Sequence, residues 1–393
     1  MVVTLDVIQT AGVAAVVYFF GMSVKHRVVV LRRFFIPAPV IGGLVVSVLL
    51  FAMSQGGGVE VHFDKTLQNF FMNLFFTCVG FTVSAALIRS SGRQGALLAV
   101  IAVAFLVIQN LVGVGLSRFL GINELLGVAM GSISMSGGVG SGAAFGPTLE
   151  AAGAAGATTV GIAAATFGLL MGSLIGGPVA KRLIDRHGLR SEGKERHSAR
   201  PVEVPAPLTG TGLFRSTLVI LIAAAIGTVI SWLLNFTGIQ FPYYVGCLFG
   251  GALVRNLADT GKFPLRMPEI DVIGDIALNL FLSITLMSLN IAALIGLALP
   301  MVLILLTQMT VMALYAYVVT FRCMGRDYDA AVMAAGHCGV GLGQTPNALA
   351  NMSAVIEDRG PAPRAWFVLP IITVVFINIF NPLIITLFIN LFA

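Results

Sequence analysis

Two short glycine runs, Gly138-Val139-Gly140-Ser141-Gly142 and Gly339-Val340-Gly341-Leu342-Gly343, expose the most backbone in this sequence. With few side chains in the way, their N–H and carbonyl groups are open to close approach by a ligand or by another helix. Each run is followed by a proline, Pro147 or Pro346. Small polar groups flank both: Ser134, Ser136 and Ser141 at the first, His337, Gln344, Thr345 and Asn347 at the second. No Lys or Arg lies deep in an apolar run, so an anion there would be held by backbone N–H groups and half-helix N-termini. A small carboxylate suits such a site, whereas a phosphate or citrate would recruit a guanidinium. The candidate substrate set is Ser136, Gly137, Gly138, Gly140, Ser141, Gly142, His337, Cys338, Gly339, Gly341, Gly343, Gln344, Thr345 and Asn347. A single glycine-rich helix is better explained by tight packing, and a lone histidine by a hydrogen-bonded core. It is the pairing of the two runs that favours a site.

A second set consists of neutral oxygens inside apolar runs: Asn73, Thr77, Asn279, Ser283 and Thr285. Carbonyl, amide and hydroxyl oxygens suffice for sodium, which makes these the candidate sodium ligands. The 17 acidic residues fall in loops or near the ends of apolar runs, as Asp64, Glu124, Glu150, Asp275 and Asp329 do. Proton relays use intramembrane ionisable groups, so sodium rather than proton coupling is expected. The four cysteines show no paired-ligand spacing, and His337-Cys338 has no carboxylate nearby. Free thiols, no metal beyond sodium, no cofactor and no enzyme chemistry follow.

These groups sit in a chain of 393 residues that is 57% hydrophobic and 10% charged. Such a balance excludes a soluble globule and implies a polytopic, all-α membrane protein. Ten spans are predicted: 7–24, 37–53, 67–88, 96–116, 155–180, 218–234, 241–254, 273–297, 299–321 and 366–392. No basic residue precedes the first run, so it is read as a span rather than a cleaved signal. Segments 125–150 and 330–350 are too rich in glycine and small polar residues for lipid-facing helices. They read as re-entrant hairpins or broken helices.

The net charge of +6 comes from Lys and Arg between apolar runs rather than on one solvated face, which argues against nucleic acid. Seven of these residues crowd the stretch from Lys181 to Arg200, which also holds Ser191 to Ser198 and is followed by Pro201, Pro205 and Pro207. The positive-inside rule makes residues 181–215 a cytoplasmic linker, with both termini periplasmic. On that topology only Lys65 and Arg118 fall outside.

Residues 1–180 and 216–393 read as two copies of one unit. Asn73-Leu74-Phe75 falls on Asn279-Leu280-Phe281, Pro37 with Val40 on Pro242 with Val245, the glycine runs on one another, and Pro178 on Pro382. Five spans per copy force opposite orientations, the inverted five-helix architecture of secondary transporters. A channel would more commonly form its pore from identical subunits. A homodimer is expected, with apolar helices near Phe105–Leu111 or Met301–Leu314 at the fixed interface.

The chain resembles the bacterial sodium/glutamate symporters of the glutamate:sodium symporter family over nearly its whole length. The resemblance rests on Ile36-Pro37-Ala38-Pro39-Val40 with Gly42-Gly43, Ser136-Gly137-Gly138, Gly142-Ala143-Ala144, Ala165-Thr166-Phe167-Gly168 and Ile175-Gly176-Gly177-Pro178-Val179-Ala180. It is strongest from Tyr328 through Ala335-Gly336-His337-Cys338-Gly339 to Asn351-Met352. It implies sodium-driven glutamate uptake across the bacterial inner membrane by alternating access, with another dicarboxylate or a hydroxy acid as the alternative substrate. Members of that family can carry a histidine where Val139 stands, so no imidazole role is carried over there.

Overall fold

The computed structural model describes residues 2–57, 60–90, 92–191, 208–236, 238, 241–261, 263–289, 291 and 296–393. The middle of the expected linker, from Glu192 through Pro207, lies outside the described residues. The helices are α1 Val7–Arg27, α2 Val29–Arg33, α3 Ala38–Gly57, α4 Thr66–Phe81, α5 Ala85–Ser90, α6 Gly92–Phe119, α7 Glu124–Val128 and α8 Gly138–Ala151. They continue with α9 Ala157–His187, α10 Gly210–Asn235, α11 Tyr243–Asp259, α12 Met267–Met287, α13 Ala298–Tyr315, α14 Tyr328–Gly341, α15 Thr345–Arg359 and α16 Pro363–Phe392. Helix α9 runs on through Lys181–His187, and α10 starts before Arg215, so both ends of the expected linker are helical.

Among the described residues, eight helical stretches are long and apolar enough to cross a bilayer, which makes the chain a multi-pass, helical membrane protein. The other two runs read as spans became α4 and α11, of 16 and 17 residues. At 1.5 Å per residue they reach about 24–26 Å, short of the roughly 30 Å hydrocarbon core. The run 67–88 is cut because Thr82–Ser84 leaves the helix. There Thr82 Oγ1 donates to the Val79 carbonyl at 2.7 Å, and Ser84 Oγ accepts from Leu87 N–H at 3.3 Å to start α5. The run 273–297 likewise stops at Met287, where Ser288 Oγ turns back onto the carbonyls of Ile284 and Thr285. Phe81 and Met287 are separated by the same spacing as Asn73 and Asn279. Composition also gave no warning of a two-stranded parallel sheet, β1 Val2–Leu5 with β2 Glu60–Phe63, in register Val2↔Glu60. Four residues are too few to show alternation against an apolar background.

The chain forms two compact units, each drawing on both sequence halves. The first holds residues 1–82, 140–162 and 208–299, and the second 83–139, 163–207 and 300–393. In the first unit, α1 packs on α3 as α10 packs on α11, α3 packs on α12 as α11 packs on α4, and α4 packs on α12. Glycine sets these distances. A Cβ at Gly42 would strike the Val17 carbonyl and one at Gly43 would strike Leu286, while Gly250 and Gly251 meet the Ala223 and Thr77 carbonyls. In lipid, without a hydrophobic force between helices, such close backbone approach supplies much of the packing.

In the second unit, α6 packs against α7 and α16, and α14 against α15 and α16. Phe105, Leu106, Gln109 and Asn110 of α6 are buried within the chain, so the stretch Phe105–Leu111 presents little beyond Leu111 to a second copy. Leu303, Leu306 and Leu314 of α13 remain exposed.

Candidate functional site

The first glycine segment is a helix interrupted twice. Asn123 caps α7, accepting from Leu125 N–H at 2.9 Å. The helix then widens into a π turn over Ala129–Ile133, inside which Gly131 leaves helical geometry at φ −92° and ψ −134°. That kink frees the Ser132 N–H, and the buried Asn110 Oδ1 on α6 accepts it at 2.8 Å. The second interruption is Ser136-Gly137, after which Gly138 opens α8 with φ +71°, a conformation natural only to glycine. Within the first unit α8 lies antiparallel to the start of α9, with Gly142 against Gly161 and Gly146 against Thr158.

The second glycine segment is a helical hairpin. Asp327 caps α14 by accepting from Ala330 N–H at 2.8 Å, and its carboxylate also holds Arg364 at 2.6 Å. The chain turns at Leu342–Gln344, and α15 returns along α14, so that Gly339 faces Ala348 and Gly336 faces Met352. Asn351 Nδ2 ties the arms together, donating to the Ala335 carbonyl at 3.2 Å as well as to Gly172 of α9 at 2.8 Å. The open end closes where Tyr328 Oη donates to the Gly360 carbonyl at 2.6 Å, so the chain enters and leaves at one end. Arms of 14 and 15 residues are about 21–23 Å long, too short to span.

The tip of this hairpin meets the second interruption, at Ser136–Gly138, inside the second unit. The carbonyl of Gly341 accepts from Gln109 Nε2 at 2.6 Å and from Ser136 Oγ at 3.3 Å, and Ser136 Oγ also reaches Gln109 Oε1 at 2.7 Å. Gln308 Nε2 of α13 donates to the Gln109 carbonyl at 2.7 Å. A Cβ at Gly138 would lie 2.6 Å from Gln344 Nε2. Asn347 Nδ2 donates to Leu169 of α9 at 2.9 Å, and Asn381 Nδ2 to Ser132 at 3.0 Å. Acceptor oxygens remain over: Asn347 Oδ1, Gln308 Oε1 and Asn381 Oδ1 are buried and unpartnered among the described residues. Buried polar groups are costly unless paired, so a cluster with spare acceptors is chemically open to a donor or a cation.

Sequence reasoning passed over Gln109, Asn110, Gln308 and Asn381, although each is a carboxamide inside an apolar run, itself a signal. Ser136, Gly137, Gly138, Gly341, Gln344 and Asn347 are brought together or nearly so. Gly339 and Gly343 approach the backbone and side chain of their own hairpin instead, at Ala348 and Asn347. His337 is buried, with Nδ1 2.8 Å from Thr320 Oγ1 and its ring edge-on to Phe105, and Cys338 is buried beside it. Thr345 is half-buried at the start of α15. Gly140, Ser141 and Gly142 belong to the first unit.

The five candidate sodium ligands all lie in that first unit, on α4 and α12. Cys78 packs on Gly274, while Phe75 and Leu278 both touch Gly140, an antiparallel register that levels Asn73 with Asn279. Asn73 Oδ1 and Ser283 Oγ are buried without a partner among the described residues. Thr77 and Thr285 donate back to the carbonyls of Asn73 and Phe281 at 2.7 and 2.8 Å, and the Thr77 hydroxyl also meets the Cys247 thiol. Asn279 Nδ2 is spent on the Asp275 carbonyl at 2.8 Å. Helix α12 starts at Met267, earlier than expected, which puts Asp271 and Asp275 in its second and third turns. Thr285 lines a cavity of about 390 Å³ with Gln68, Glu150, Thr158 and Ser288.

The profile of the family described as sodium/glutamate symporter matches residues 3–361. The chain belongs to the sodium/glutamate symporter family. It is 39% identical over 394 residues to the sodium/glutamate symporter of Escherichia coli (strain K12), covering 98% of each chain. The Haemophilus influenzae sodium/glutamate symporter is 37% identical over 386 residues, 96% of each. This symporter is therefore a transporter and not an enzyme.

Proposed function

We propose that this chain carries glutamate inward across the bacterial inner membrane together with sodium, by alternating access. Symport of this pair follows from the family. The observation that supports a route through this fold is the junction at which Gln109 joins the break at Ser136–Gly138 to the tip of the α14–α15 hairpin. Discontinuous helices at depth expose backbone N–H and carbonyl groups of the kind that hold a carboxylate or a sodium ion. The substrate groups are those around Ser136, Gly138, Gly341, Gln344 and Asn347. The sodium oxygens are those of Asn73 and Ser283, with Thr77 and Thr285 beside them.

Two inverted repeats, each with one interrupted glycine segment, complete the reading. Three features support them: the exchange-symmetric helix packing of the first unit, the matched ends of α4 and α12, and the short closed hairpin as a re-entrant segment. Both termini are then periplasmic and the linker cytoplasmic, as the basic residues require. A homodimer would use α13 around the exposed Leu303 and Leu306, since the alternative stretch on α6 is largely internal.

Uptake of labelled glutamate into proteoliposomes, with and without an inward sodium gradient, tests the function. Competition by aspartate, glutamine, citrate and malate separates glutamate from a dicarboxylate or hydroxy acid. Sodium-driven flux that unlabelled glutamate does not reduce would rule out the substrate.

A further inference from the structure

The second unit carries a cationic cavity lined by none of the candidate substrate or sodium residues. It measures about 440 Å³ and is lined by Arg186 and His187 at the end of α9, Tyr317, Val318 and Phe321 after α13, and Arg322 and Arg326. Arg186 Nη1 donates to Tyr317 Oη at 3.2 Å, and the His187 ring lies 5.1 Å from Phe321. None of the three guanidiniums has a carboxylate partner among the described residues. Nearby Asp185 and Asp327 are already engaged, with Arg359 at 3.1 Å and Arg364 at 2.6 Å. Arg326 also holds φ +58°, where glycine would be the usual choice.

Three exposed guanidiniums without carboxylate partners around one cavity suit a ligand with more than one negative oxygen, the geometry of a phosphate group. The walls argue against a freely soluble ion. Phe321 and Val318 line the cavity, and Leu314, one turn back along α13, is exposed beside them, giving an apolar shelf that leads away from the charge. The basic residues place this end of the unit at the cytoplasmic leaflet, where anionic lipids and basic pockets between helices meet.

We propose that Arg186, Arg322 and Arg326 form a binding site for an anionic phospholipid of the cytoplasmic leaflet, the phosphodiester held in the cavity and an acyl chain lying on Val318 and Leu314. Native mass spectrometry in mild detergent tests it, by titrating the full chain with phosphatidylglycerol, phosphatidylethanolamine and inorganic phosphate. Phosphatidylglycerol is expected to bind in preference to phosphatidylethanolamine, and inorganic phosphate is not expected to displace it. Each arginine near a membrane surface is worth about fivefold in binding, so the triple variant R186Q/R322Q/R326Q should bind phosphatidylglycerol on the order of 100-fold more weakly. The control R27Q/R32Q/R33Q removes equal charge from exposed positions and should retain binding. A triple lysine variant, R186K/R322K/R326K, keeps the charge and should restore part of the affinity, which guards against loss of the fold in the glutamine variant. Equal affinity for both lipids, equal loss in the control, or displacement by inorganic phosphate alone would each overturn the site. So would dimerisation that protects the cavity without lipid.

Discussion

Gln109 is the side chain on which the meeting of the two glycine breaks depends, and Gln109→Met tests that dependence with little change in volume. The substitution deletes the donor to Gly341 at 2.6 Å and the acceptor of Ser136 at 2.7 Å. Each such bond is worth about 1 kcal/mol net, and stranding a buried partner adds about 1–3 kcal/mol. Ser136 can still turn toward the Gly341 carbonyl, 3.3 Å away, which keeps the total near the low end, at roughly 2–3 kcal/mol. If that loss falls on the geometry of the junction, sodium-driven glutamate uptake per folded protein drops by about 30–150-fold. The assay is initial-rate uptake in proteoliposomes, normalised to monodisperse protein, with a melting curve alongside. Ser136→Ala should cost less, about fivefold, and the double variant should show coupling of about 1 kcal/mol between the two positions. Uptake by Gln109→Met within about twofold of wild type, with an unchanged melting curve, would refute a working junction. A large fall in melting temperature with normal uptake per folded molecule would make Gln109 a packing residue only.

Gly138→Ala should lose most transport, because its Cβ meets Gln344 at 2.6 Å and its φ is +71°, whereas Gly140→Ala, with contacts no closer than 3.4 Å, should retain it; uptake measured on both decides. Asn73→Ala should raise the sodium concentration for half-maximal uptake more than Asn279→Ala, because the Asn73 oxygen is spare while the Asn279 amide is bound to Asp275. Equal shifts in the sodium titration would count against that ranking, and uptake driven by a pH gradient without sodium would remove it. Gly251→Ala places a methyl against the Thr77 carbonyl where α4 and α11 touch, and should destabilise the fold by about 1–3 kcal/mol, read as a lower melting temperature in detergent. Native mass measurement in mild detergent should show dimers, and exposed Leu306→Glu on α13 should shift them to monomers.

Hydropathy alone determined that the chain crosses a membrane many times. A helix in lipid must satisfy its own backbone and present apolar side chains, and both requirements are local in sequence. Matched residues such as Asn73 and Asn279 are what the sequence offers for the proposed repeat, and the glycine runs stand next to the points where regular helix fails, at Gly131, Ser136-Gly137 and Leu342–Gln344. What the sequence could not give were the ends of α4 and α12. Those are set by two or three residues, Thr82 with Ser84 and Ser288, whose hydroxyls turn back on the backbone inside runs that hydropathy averages over. Nor could it show that the second glycine segment closes on itself through Tyr328 and Gly360. The partner of the Gly341 carbonyl, 232 residues away at Gln109, was decided by tertiary structure alone. One amide in an apolar run looks the same whether it braces two helices or joins two broken ones, and only the packing of α6, α13 and the hairpin tip tells which carbonyl it reaches.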